Sequence, residues 1–103
     1  MAQTPEKKVK ADVVKILKEV EAYYFYPFSA GYGRSGVPDI VACHKGKFIS
    51  IECKAGNNTT TALQDREGKN IRLAGGLWFV INEHNQDLLR VYFKLIKEDR
   101  KLR

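Results

Sequence analysis

The sequence predicts an α/β domain with elements in the order α-β-β-β-α-β-α, and three observations carry that reading. A capped amphipathic segment opens the chain, and two β-branched and aromatic runs meet at a short Lys45-Gly46 turn. A second capped helical segment then leads through Gly75-Gly76 into the apolar run Leu77-Trp-Phe-Val-Ile81. A strand-helix-strand return of that length meets the usual requirement for a parallel crossover. The 103 residues are read as a single domain over 1–103, long enough to bury a core.

Thr4-Pro5-Glu6 reads as a helix start, with Thr as N-cap, Pro at the first helical position and an acid in the first turn. Val9, Val13, Ile16, Leu17 and Val20 recur at helical spacing, and Glu6 falls on the same arc. It is placed either to reach inward toward a site or simply to favour the helix dipole. Tyr23 to Phe28 is an aromatic run expected to hold the first strand. The Gly31 to Gly36 loop lacks the Gly-Lys-Ser/Thr of a nucleotide-binding loop, and its Arg34 and Ser35 are candidates to grip a nucleic-acid phosphate. Thr61-Ala-Leu-Gln64 reads as a capping box for a helix running to about Ala74. Leu77 to Ile81 fits a buried strand with Trp78 in the core, and Asn85 is expected to cap a last helix striped by Leu88, Leu89, Tyr92, Leu95 and Ile96.

The chemistry lies about the Lys45-Gly46 turn. A two-residue loop pairs His44 with Lys47, Cys43 with Phe48, Val41 with Ser50 and Asp39 with Glu52. Two carboxylates then share one face, with Lys54 beside them by period-two alternation, while Ile49, Ile51 and Cys53 point the other way. Directly opposed like charges are unfavourable unless something neutralises them. A divalent cation does so, and carboxylate oxygens suit Mg²⁺ or Mn²⁺ with positions left for water and phosphate. A lysine beside such a metal can stabilise charge on phosphate or orient water.

Pro38-Asp39 and Glu52-Cys53-Lys54 resemble the two signature pieces of the PD-(D/E)XK nuclease superfamily. Glu6, Gly36-Val37-Pro38-Asp39, Glu52-Cys53-Lys54 and Gln64, in that order, are similar to the VRR-NUC group and its small standalone members of phages. The resemblance implies a restriction-endonuclease-like αβββαβ core followed by a C-terminal helix. It implies a metal held by Asp39, Glu52 and the backbone carbonyl of Cys53, with Lys54 catalytic and Glu6 and Gln64 auxiliary. It also implies a homodimer that acts on branched or four-way DNA junctions, with flap or general DNA or RNA cleavage, or an inactive DNA-binding module, as the alternatives.

Composition agrees with a polyanionic partner, since Lys and Arg number 18 against 12 Asp and Glu, for a net charge of +6. Cys43 and Cys53 fall on opposite faces of the hairpin and are not expected to form a disulfide. With no apolar run of bilayer length, no membrane partner is expected, and a reducing cytoplasm in a bacterium or phage-infected host is the expected location. The two Cys and two His lack paired zinc spacing.

Overall fold

The computed structural model describes residues 4–28 and 35–102, the last five by backbone alone. Helix α1 (Pro5–Glu19) starts as its sequence dictates: Thr4 is extended, and its hydroxyl accepts the Lys7 N–H at 3.2 Å. Glu21, at φ 59°, ends it in the left-handed region, where the Ala22 and Glu21 N–H groups return to the carbonyls of Leu17 and Lys18. Strands β1 (Tyr23–Phe25), β2 (Ile40–His44) and β3 (Lys47–Cys53) form an antiparallel meander. Only half of the aromatic run is strand; pairing stops at Phe25, short of Pro27.

The β2–β3 register is the one the turn predicts, with His44 opposite Lys47 and Val41 opposite Ser50. Lys45 at φ 53° and Gly46 at φ 81° give both central turn residues positive φ, the condition for a type I′ hairpin. Helix α2 (Ala62–Leu73) then carries the chain across to β4 (Leu77–Ile81), which lies parallel to β3, and α3 (Asp87–Leu102) follows. The sheet order is β1-β2-β3-β4.

Alternation sorts the sheet into two faces. Ile40, Ala42, Ile49, Ile51, Cys53 and Ile81 point into one core with Val9, Val13, Ile16 and Leu17 of α1 and Leu89 and Phe93 of α3. Arg90 on Glu19 at 2.8 Å and Gln86 on Asp12 at 3.0 Å tie α3 to α1. On the opposite face α2 crosses so close that a Cβ at Gly68 would stand 2.2 Å from the Trp78 ring. That face holds Ser50 and Glu52, both fully buried.

Three local expectations change. As an edge strand, β4 is half-buried over Leu77 to Val80, with only Ile81 fully enclosed. Asn85 does not cap α3; its side chain accepts the Asn82 N–H at 2.7 Å and donates to the Val80 carbonyl at 2.9 Å, locking the exit of β4. The apolar positions of α3 divide between two surfaces: Leu89 and Phe93 are buried, whereas Leu88, Val91 and Leu95 are exposed.

Candidate active site

Asp39 immediately precedes β2, one step beyond the last ladder pair, Ile40 with Ile51. It therefore stands opposite Glu52, as the sequence predicts. Its Oδ2 accepts the Cys53 N–H at 2.7 Å, which fixes the carboxylate against β3. The next N–H, that of Lys54, donates to the Ile81 carbonyl at 2.9 Å on the β4 side. Backbone groups alternate between strand edges, so the Cys53 carbonyl shares the edge of its own N–H, the Asp39 side.

Glu52 is fully enclosed between the sheet and the start of α2. Gln64 Nε2 donates to its Oε1 at 3.0 Å, and Oε2 is buried with no hydrogen-bond partner. Burial, then the neighbouring Asp39 charge, push the Glu52 carboxyl up to about 8, against the ammonium of Lys54, which favours ionisation. The carboxylate of Glu6 adds to the upward push, so the start of α1 reaches the site electrostatically although Glu6 itself is exposed. Glu6 opens on a cleft of about 460 Å³ that Thr4, Pro5, Ala55, Gly56 and Asn58 also line.

Gly36 explains the tight approach of the Pro-Asp segment to α2. It sits at φ +81°, and a Cβ there would lie 2.6 Å from the backbone of Leu63. Asp39 and Gln64 are thus drawn toward Glu52 from two segments in van der Waals contact. Gln64 serves both uses the sequence allowed. Its side-chain oxygen accepts the Thr61 N–H at 3.0 Å while its backbone N–H donates to Thr61 Oγ1 at 3.2 Å, completing the capping box, and Nε2 remains for Glu52.

The predicted residues Asp39, Glu52, Cys53, Lys54 and Gln64 are therefore brought together, with Glu6 at the margin. Ser35 is exposed in the turn that leads to Gly36, and Arg34 lies outside the described residues. Sequence reasoning missed Lys10. Its charge acts on the Cys53 thiol, which burial and Asp39 push up to about 12, and its ammonium lies 4.2 Å from the Tyr26 ring centroid. Its spacing of one helical turn from Glu6 was the available signal.

The donor set fits a hard divalent cation. Two opposed carboxylates, one of them buried with an unpartnered oxygen and a strong tendency to hold a proton, are what such an ion would relieve. Among the described residues no three His, Cys, Asp or Glu side chains form a metal-binding group, so the remaining ligands would be backbone and water.

The family described as archaeal Holliday junction resolvase (Hjc) matches residues 7–97, spanning the Asp39–Glu52 hairpin, α2 and β4. The chain belongs to that family. It is a structure-selective DNA endonuclease of the PD-(D/E)XK superfamily. Its fold is also similar to a solved structure titled VRR_NUC domain, with a TM-score of 0.70 and 24% identity over 92% of this chain and 97% of that one. No curated protein matches the sequence. Among the described residues no helix is long and apolar enough to cross a membrane.

Proposed function

We propose that this resolvase-family chain cuts branched DNA, four-way junctions above all, with Mg²⁺ or Mn²⁺ held by Asp39, Glu52 and the Cys53 carbonyl. The buried Oε2 of Glu52, which no protein donor holds, beside the Asp39 carboxyl carries this reading, because two acids enclosed side by side are costly unless the site is built for a cation. The bound ion would supply Lewis-acid stabilisation of phosphoryl charge and a more acidic water.

The chain's own residues do the rest. Asp39 is anchored by the Cys53 N–H, which holds its carboxylate against β3 beside Glu52. Gln64 fixes the rotamer of Glu52 by holding Oε1, which leaves Oε2 for binding. Lys54 neighbours the pair and remains partly exposed, where its ammonium can orient a water for in-line attack and stabilise the negative charge that develops on the phosphoryl oxygens. Glu6 lines a cleft with Ala55 and Gly56, just past Lys54, from where a water-bridged contact is the role it suits.

The active unit is proposed to be a homodimer, since paired incisions on opposite strands of a two-fold junction need two sites at fixed spacing. Exposed apolar groups support this. Tyr23, Phe25 and Phe48 stay exposed on the sheet face that α2 covers only in part, and Leu88, Val91 and Leu95 line the outer side of α3. The test is cleavage of a synthetic four-way junction against a linear duplex of the same sequence, with and without Mn²⁺. Metal-dependent, paired nicks in the junction support the proposal; equal cleavage of the linear duplex rejects junction selectivity, and cleavage without metal rejects the site.

A further inference from the structure

The lysines of α1 are not evenly spread. Lys7, Lys10, Lys15 and Lys18 line one groove of about 730 Å³ between the helix and Tyr26, together with Ala11 and Val14. Lys8, on another side of the helix, is engaged by Asp12 at 2.9 Å. The single acid in the groove, Glu19, is taken by Arg90 at 2.8 Å, and among the described residues none of the four groove lysines is in an ion pair. Four lysines against one acid, itself engaged by a neighbouring helix, leave the strip with an excess of positive charge. Glu6 and Glu19 stand one helical turn from Lys10 and Lys15, yet among the described residues no groove lysine closes on an acid as Lys8 does on Asp12.

The strip also has a direction. Lys10 is at once part of the groove, 4.2 Å from the Tyr26 ring, and near enough to the catalytic strand to act on Cys53. From Lys7 to Lys18 the helix rises about 16 Å. That is the rise of roughly five base-pair steps of a duplex. We infer that the α1–Tyr26 groove binds the phosphodiester backbone of a DNA duplex arm that leads away from the cleavage centre. The inference rests on the nuclease reading of the Asp39–Glu52 site and extends it by naming the surface that holds the substrate at a distance from the scissile bond. Affinity then comes from α1, and chemistry from the hairpin.

The test is the salt dependence of binding to a synthetic four-way junction in metal-free buffer. The variants are Lys10→Ala/Lys15→Ala/Lys18→Ala and a control of equal charge change, Lys69→Ala/Lys94→Ala/Lys97→Ala, on α2 and α3. Removing three duplex phosphate contacts should reduce the slope of log affinity against log salt by about 2 to 3. The groove variant should therefore bind at least tenfold more weakly near 100 mM salt, with the control within about threefold of the parent and all three melting alike. Neutral methylphosphonate linkages along one arm should weaken the parent and leave the groove variant unaffected. If the groove and control variants fall equally, or if the neutral arm weakens both proteins alike, the groove assignment is overturned while junction binding and cleavage by the parent still stand. A parent that neither binds nor nicks the junction overturns the nuclease reading and the groove with it.

Discussion

Gln64 Nε2 donates to Glu52 Oε1 at 3.0 Å while the carbonyl oxygen of the same side chain closes the cap of α2 on Thr61. One amide therefore couples the start of a helix to the ionisable centre of the site. The two roles separate by mutation. Thr61→Ala removes half of the capping box and should cost about 1 kcal/mol of stability with turnover near that of the parent. Gln64→Ala should cost a similar amount of stability and also lower the cleavage rate at least tenfold. Urea unfolding and single-turnover cleavage of both variants check this; equal activity in the two would remove Gln64 from the site.

Lys54→Ala should abolish cleavage and leave junction binding largely intact, because the phosphate contacts proposed to supply affinity lie along α1, away from the hairpin. Gel-shift and nicking assays on the same preparation measure both. A rate within tenfold of the parent would rule out the catalytic assignment.

The raised Glu52 carboxyl sets the pH dependence. Folding moves it from 4.5 to about 8, so the folded chain binds this proton more tightly than the unfolded one. Its stabilising contribution is full below about pH 4.5 and is lost as pH rises through about 8. Metal-free protein should thus lose stability between pH 6 and pH 9, and Glu52→Gln should flatten that loss. Mn²⁺ must displace the same proton, so its apparent affinity should rise about tenfold per pH unit below pH 8. Calorimetry in buffers of different ionisation heat should show one proton released at pH 6.5.

Asp39→Asn should weaken Mn²⁺ binding and remove activity with little loss of metal-free thermal stability. The amide oxygen can still accept the Cys53 N–H, and above about pH 8, where Glu52 ionises, the substitution also relieves the repulsion between the two carboxylates. Unchanged Mn²⁺ affinity would reject a shared site.

Gly36→Ala should destabilise the chain by about 2 kcal/mol or more, since the backbone there is at φ +81° and the new methyl meets Leu63 main chain at 2.6 Å. Thermal melts test this, and a variant as stable as the parent would mean that the Pro-Asp segment can move off α2 at no cost.

The hairpin was legible because a two-residue turn and period-two alternation leave one register, and that register alone opposes Asp39 to Glu52. The box at Thr61 and Gln64 was legible for the same local reason. Asn85 was misread because an Asn three residues after another, Asn82, forms side-chain turns that bind the exit of β4 as readily as they cap a helix. The division of α3, with Leu89 inside and Leu88 and Leu95 outside, depends on where the helix lands on the sheet. Periodicity gives the width of an apolar stripe without telling which part of it is covered. Lys10 escaped notice because its partner, Tyr26, lies across a chain reversal that no local pattern records.

The contact of α2 with Trp78 bears on how this sequence can drift. With an indole carbon 2.2 Å from where a side chain at Gly68 would begin, positions 68 and 78 cannot vary independently. Alanine at 68 becomes tolerable only after Trp78 has given way to something smaller, and a smaller residue at 78 leaves a void until 68 has grown. Among relatives of this chain the pair should therefore appear as small with large or as medium with medium, a linked substitution lying outside the chemistry yet holding α2, and with it Gln64, at its working distance.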